Sequence, residues 1–145
     1  VVLGAGGAAR SVIEALGRAG AADVVVVNRT GARAERAAAL AGPVGRVGSV
    51  DAIGEADIVI NATSVGMDGV SSPSPGGSFA ASQTVVDLIY RPLSTPWITA
   101  ARDVGASAVN GVGMLLHQAA IQLELWTGID APIDAMRDSV ADVIG

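Results

Sequence analysis

Short runs of consecutive apolar residues alternate along this chain with longer segments whose apolar residues recur every three to four positions. The runs have strand length: "VVL" at 1–3, "DVVVV" at 23–27, "ADIVINAT" at 56–63 and "TVVDLI" at 84–89. Uninterrupted apolar strands belong to sheets covered on both faces; a half-solvated strand would alternate apolar with polar residues. The periodic segments predict a helix over about Ala9–Ala19, in which Val12, Ile13, Leu16 and Ala19 share a face. Further helices are expected over 32–41, ended by Gly42-Pro43, over Pro96–Val104 and over Val112–Thr127. A weak strand near Val44–Val47, a short strand "SAV" at 107–109 and a last helix over 132–143 complete the set, and "MDGVSSPSPGGS" at 67–78 is too polar to bury and reads as a loop.

Strands that alternate with helices at this spacing imply βαβ units, and hence a right-handed, doubly wound parallel sheet of the α/β class. Ligands of such sheets bind outside the carboxyl ends of the strands, where the strand order reverses. The turns after Leu3, Val27, Ile60 and Ile89 are therefore expected to meet in one crevice.

Composition narrows the chemistry. The 145 residues make about one domain, able to bury roughly 70% of the surface exposed on unfolding. No apolar stretch approaches the roughly 20 residues that span a bilayer, so no membrane partner is expected. There is no cysteine and a single His, so neither a disulfide framework nor a metal site is expected. The net charge of -5 argues against nucleic acid as a partner. It does not argue against one small anion held by a local pair of arginines. All nine basic residues are Arg, and lysine is absent. Because the chain opens at Val1 inside an apolar run, it is expected to be a piece of a longer protein.

"VVLGAGGAAR" carries Gly4-x-Gly6-x-x-Ala9 directly after a strand and at the start of a helix. Gly4 permits the tight turn, Gly6 lets the backbone approach a pyrophosphate, and a small third residue lets helix and strand pack closely. The helix start then offers N–H groups and partial positive charge to phosphates. A second strand ends about 20 residues on, as a dinucleotide fingerprint requires. There the chain reads "NRTGAR", with no carboxylate to hold a ribose hydroxyl and repel a 2'-phosphate. Asn28 removes that repulsion, Arg29 can face adenine and phosphate together, Thr30 offers a hydroxyl, and Arg33 follows where the next helix begins. Guanidinium forks match phosphate geometry, so the expected cofactor is NADP rather than NAD.

"GAGGAAR", "NRTGAR", "NATSVGM", "DLIYRP" with a later "TPW", and "NGVGMLLHQAAIQLELWTG" together resemble the C-terminal, NADP-binding, Rossmann-like domain of the shikimate dehydrogenase family. The resemblance covers nearly the whole chain, and its last block is the most specific part. Glutamyl-tRNA reductase shares a glycine turn and an Asn-Arg-Thr but not "GMLLHQA". The resemblance implies a pyrophosphate loop at Gly4, Ala5, Gly6, Gly7 and Ala8, and a clamp for adenine and 2'-phosphate at Asn28, Arg29, Thr30 and Arg33. It implies residues flanking the cofactor at Thr63 and Ser64, a nicotinamide neighbour at Leu88, and a pair meeting the nicotinamide end at Gly111 and Met114. Tyr90 and Gln118 resemble the two polar contacts this domain makes to shikimate. Met114 and Gln118 lie four apart and share a helix face. A buried amide without a partner is costly, so Gln118 is read as meeting a polar ligand. Val112, Leu115, Leu116, Ala119, Leu123 and Trp126 are assigned to a separate face that enters the core. Asn110 departs from the family's usual Asp; as a helix cap it would serve nearly as well.

In that family the acid–base pair, a Lys and an Asp, belongs to an N-terminal substrate domain, and nothing here resembles it. The resemblance thus implies a cytoplasmic enzyme of aromatic amino-acid biosynthesis that reduces 3-dehydroshikimate with NADPH. This chain would provide the cofactor's seat, no catalytic residue, and no turnover alone. Two other readings stand beside it: a relative acting on quinate or another cyclic polyol acid, and a non-catalytic NADP-binding module. The oligomeric state is open, a homodimer included.

Overall fold

A computed structural model describes residues 1–74 and 79–144. Six parallel strands form one sheet: β1 (Val2–Leu3), β2 (Val24–Val27), β3 (Gly45–Val47), β4 (Ile58–Asn61), β5 (Thr84–Asp87) and β6 (Ser107–Val109). Their spatial order is β3-β2-β1-β4-β5-β6, so the order reverses between β1 and β4, and the crevice expected from the sequence opens there. Five helices connect and flank them: α1 (Gly7–Arg18), α2 (Gly31–Ala38), α3 (Pro96–Asp103), α4 (Val112–Thr127) and α5 (Ile133–Ile144). Each expected helix and strand is present, most within two residues of its expected bounds. Two 3-10 turns, Ala39–Val44 and Val50–Glu55, are added; the second was not foreseen, because six residues carry too little periodicity to read. Part of the loop expected over 67–78, residues 75–78, lies outside the described residues.

The apolar runs do cover both faces. Val2, Val24, Val26 and Ile60 pack with Ala9, Ile13 and the alanines of α2 on one side of the sheet. Leu3, Val59 and Val85 pack with Ile53, Phe79, Trp97 and Ala101 on the other. Alanine is frequent where α1 and α2 meet the sheet, which lets these helices approach closely.

α4 departs from expectation. Leu116 and Ala120 are buried, and Val112, Leu115, Ala119 and Leu123 are half-buried, but Trp126 is 79% exposed rather than in the core. This helix carries apolar residues nearly all the way round. Its neighbours cover only a narrow strip, so periodicity alone could not say which side turns inward.

The largest side chain of the core is Trp97, 1% exposed, with Phe79 edge-on at 4.7 Å between ring centroids. Trp97→Ala should lower the free energy of unfolding by about 3–5 kcal/mol in urea titrations, while a change below 1 kcal/mol would mean that the second core collapses around the cavity.

Candidate functional site

The first strand ends in a turn that only glycine can make. Gly4 has φ +112°, and a Cβ there would stand 2.8 Å from the Ala62 carbonyl oxygen. The Gly4 N–H donates to Val27 O at 2.8 Å, so this turn and the end of β2 are pinned side by side. Above Gly6 and Gly7 a Cβ would meet nothing within 4 Å, which leaves open space over the start of α1. Gly6 caps that helix without a side-chain hydrogen bond, and its first N–H groups face outward for an anion.

At the end of β2, Asn28 Nδ2 donates to Thr30 O at 3.0 Å and folds the turn. Thr30 caps α2 but makes no side-chain capping bond, leaving its hydroxyl uncommitted. Arg29 and Arg33 are exposed and have no carboxylate within 4 Å among the described residues. An open space, a helix start and two unpaired guanidiniums next to it fit a phosphorylated dinucleotide.

Toward the other side of the reversal point lies a cavity of about 770 Å³, lined by Ala8, Thr63, Ser64, Leu88, Tyr90 and Met114 among others. Six residues separately assigned on the sequence thus share one wall. Gly111 stands behind them: its N–H donates to Ile89 O at 2.9 Å, and a Cβ there would collide with the Leu88 carbonyl. Gln118 is exposed, so the argument that its amide is buried fails. It stays one turn beyond Met114 on α4, outside the cavity lining. Asn110 stands one residue before the N-cap of α4, Gly111. Its Oδ1 accepts from Val112 N at 3.3 Å, and its Nδ2 donates to Leu93 O at 3.1 Å, a bond that an ionised Asp could not make.

Sequence reasoning passed over a buried polar pair at the strand ends, next in the chain to residues that line the cavity. Asp87, fully buried at the end of β5, accepts from Asn61 Nδ2 at 3.0 Å, Ile89 N at 3.1 Å and Thr95 Oγ1 at 2.6 Å. Asn61, buried at the end of β4, in turn accepts at Oδ1 from Thr63 N at 3.0 Å and Thr63 Oγ1 at 2.7 Å. The available signal was a polar letter ending each of two apolar runs, "IVIN" and "TVVD". Met67, Asp68, Gly69, Ile89, Arg91 and Pro92 also line the cavity; the turn after Ile89 was expected there, but none of these residues was singled out.

A doubly wound sheet with a glycine turn beside its reversal point defines a Rossmann-type α/β domain. Family models described as "Shikimate / quinate 5-dehydrogenase" and "Shikimate 5'-dehydrogenase C-terminal domain" match residues 1–70 and 111–141. The chain belongs to the shikimate dehydrogenase family. The shikimate dehydrogenase (NADP(+)) of Methanocella arvoryzae is 42% identical over 151 residues, a match covering 99% of this chain and 56% of that protein. The Thermus thermophilus shikimate 5-dehydrogenase in complex with NADP(H) and shikimate superposes with a TM-score of 0.87 at 39% identity, over 97% of this chain and 53% of that one. A ligand-free 5-ketofructose reductase of Gluconobacter superposes with a TM-score of 0.84 at 33% identity, over 98% and 55%. The chain spans about half the length of the relatives it matches.

Burial pushes the Asp87 carboxyl above the ordinary carboxylate range, and its bonds from Thr95, Ile89 and Asn61 only partly offset this. The folded chain therefore holds that proton more tightly than the unfolded chain, whose value is about 3.9. Stability from this group is complete below that value and is lost as pH rises through the folded one. Asp87→Asn removes the titration, so urea midpoints measured from about pH 4 upward should shift in the variant's favour relative to wild type. A difference constant with pH would mean that the carboxyl titrates as it does unfolded.

Proposed function

We propose that this chain is the NADP(H)-binding half of a longer shikimate dehydrogenase, which reversibly reduces 3-dehydroshikimate to shikimate. The observation that carries the reading is the pair of unpaired arginines, Arg29 and Arg33, at the end of β2, held beside the open glycine turn by the Gly4–Val27 bond. A 2'-phosphate is the group such a pair would serve, and NAD lacks it. The relatives named for NADP(+) point the same way.

The bound nicotinamide would supply the hydride; the protein supplies place and surroundings. The N–H groups after Gly6 would hold the pyrophosphate, with Asn28, Arg29, Thr30 and Arg33 around the adenosine end. Leu88 and Met114 give the ring an apolar seat, and Gly111 keeps α4 close against it. Thr63, fixed by Asn61, and Ser64 flank the cofactor between these ends. Tyr90 and Gln118 offer polar atoms to the substrate.

Reduction of a ketone also needs a proton donor at its oxygen. Of the residues lining the cavity only Asp68, Tyr90 and Arg91 ionise. Asp68 accepts bonds from Val70 N and Ser71 N of its own turn, and an arginine does not release its proton. The family resemblance implies that the donor, a Lys paired with an Asp, belongs to the other half of the enzyme, and the absence of lysine here agrees with it.

The purified chain should bind NADPH, read by quenching of its own tryptophan fluorescence, yet turn over neither shikimate nor 3-dehydroshikimate. Dehydrogenase activity from the chain alone would overturn the division of labour. Arg29→Ala should weaken NADPH binding about ten- to a hundredfold and leave NADH binding nearly unchanged. Equal losses for both dinucleotides would assign Arg29 to adenine or to the fold.

A further inference from the structure

β4 and β5 end in the same way. Asn61 and Asp87 are register partners, and each side chain folds back onto the segment that follows its strand. Asn61 Oδ1 accepts from Thr63 N at 3.0 Å, and Asp87 Oδ1 accepts from Ile89 N at 3.1 Å. Two turns of one kind, each closed on the second residue after its Asn or Asp, therefore stand side by side. A side-chain hydrogen bond joins them, from Asn61 Nδ2 to Asp87 Oδ1 at 3.0 Å. Both side chains are inaccessible to solvent and neither lines the cavity. What the two turns carry does line it: Ala62, Thr63 and Ser64 after β4, and Leu88, Ile89 and Tyr90 after β5.

The joining bond has a direction. Asp87 Oδ1 already receives the Ile89 N–H, so it meets Asn61 as an acceptor and Asn61 must present its NH2 group. That group also donates to Val65 O at 3.1 Å. The amide oxygen is left for Thr63, whose hydroxyl donates to it at 2.7 Å. With its hydroxyl held there, and accepting from Val65 N at 3.1 Å, Thr63 turns its methyl toward the glycine turn: a Cβ on Gly4 would stand 3.2 Å from Thr63 Cγ2. Asp87 thus sets the rotamer of a side chain it does not touch. Its other oxygen accepts from Thr95 Oγ1 at 2.6 Å, a second anchor that does not depend on Asn61.

Hydride transfer needs its two ligands at a fixed separation, and a misplacement of about 1 Å can cost about a hundredfold in rate. This step rests on the cofactor-domain reading, in which Thr63 and Ser64 flank the cofactor and Tyr90 meets the substrate. The bond between the turns then ties the seat of the hydride donor to that of its acceptor. We propose that Asn61 and Asp87 are positioning residues for hydride transfer: acting through Thr63 on one side and the Ile89–Tyr90 segment on the other, they set the separation of two ligands that they do not contact.

The test uses the complete two-domain enzyme. Asn61→Leu should lower kcat about ten- to a hundredfold and change KM for shikimate and affinity for NADPH less than about threefold. Asp87→Leu should do the same, and the double variant should be no slower than the slower single one, because both remove the same bond. Asp87→Asn keeps an acceptor for the Asn61 amide and should recover most of the rate lost in Asp87→Leu. Where a leucine variant does not fold, Thr63→Val reads the same link: it loses only the hydroxyl that Asn61 holds, and should lower kcat about three- to tenfold. With the cofactor deuterated at the transferred position, the slowed variants should show a primary isotope effect on kcat.

Losses confined to KM or NADPH affinity would overturn the proposal by making the pair a support for binding. Losses that multiply in the double variant would do so too, as would a slow step insensitive to the isotope. A wild-type enzyme that interconverts shikimate and 3-dehydroshikimate, with its rate kept in Asn61→Leu and Thr63→Val, would sink this inference alone. One that binds NADPH and turns over neither compound would sink the dehydrogenase reading and the inference with it.

Discussion

The arrangement of the cleft depends on one buried carboxylate. Asp87 and Asn61 are register partners at the ends of adjacent strands, and both are inaccessible to solvent. An ionised group there is tolerated only with its lone pairs satisfied, and three donors from three segments satisfy it: a strand-end amide, the N–H of Ile89 and the Thr95 hydroxyl. Each of those donors fixes something else. Asn61 holds Thr63 through its other atom, Thr95 caps α3 by accepting from Ile98 N, and Ile89 receives the N–H of Gly111 at the start of α4. Loops that would otherwise be independent are thus ordered relative to one another before any ligand arrives, the condition for a site that orients its ligand rather than adapting to it.

What was legible in the sequence follows from how local each signal is. The glycine turn, the helix it opens and the arginines after β2 are contiguous in the chain, and their chemistry comes mostly from backbone geometry and residue type. Parallel strands announce themselves because both faces are covered and the apolar run is unbroken. The runs at 56–63 and 84–89 were read too long by about two residues at an end, since the ladder stops at Asn61 and Asp87. Those are the positions where side chains leave the sheet to bind loops. A polar residue closing an apolar run was thus the mark of the buried pair that orders these loops, visible but not given that meaning.

The rest was not legible because it is made by neighbours distant in sequence. The cavity draws on α1, the two loops after β4 and β5, and the first turn of α4, and no window of residues contains that arrangement. The same holds for α4. Sequence spacing correctly placed Met114 and Gln118 on one face, but whether Gln118 or Trp126 is covered depends on what packs beside the helix. Both are exposed. The Gln118 argument went from expected burial to a ligand, so it lost its premise while the helical geometry beneath it held.

The arginines bring fold and chemistry together. A chain of net charge -5 ought to repel a multiply charged dinucleotide, yet fields from exposed charges fade over about 8 Å at physiological salt, so local placement governs. Arg46 pairs bidentately with Asp23 beside the amino end of β2, Arg18 reaches Glu14 along α1, and Arg137 pairs with Asp134 on α5. Arg36 and Arg102 lie in the last turns of α2 and α3, where the helix dipole favours a cation. Arg29, in the turn after β2, Arg33, in the first turn of α2, and Arg91, in the loop after β5, have neither kind of partner among the described residues. Arg10, only four residues into α1, sits where the dipole disfavours positive charge. Cations left unpaired at the sheet's carboxyl edge, in a chain with acids to spare, are placed for anions that come from outside. On the proposed reading, Arg29 and Arg33 would meet the 2'-phosphate of the cofactor.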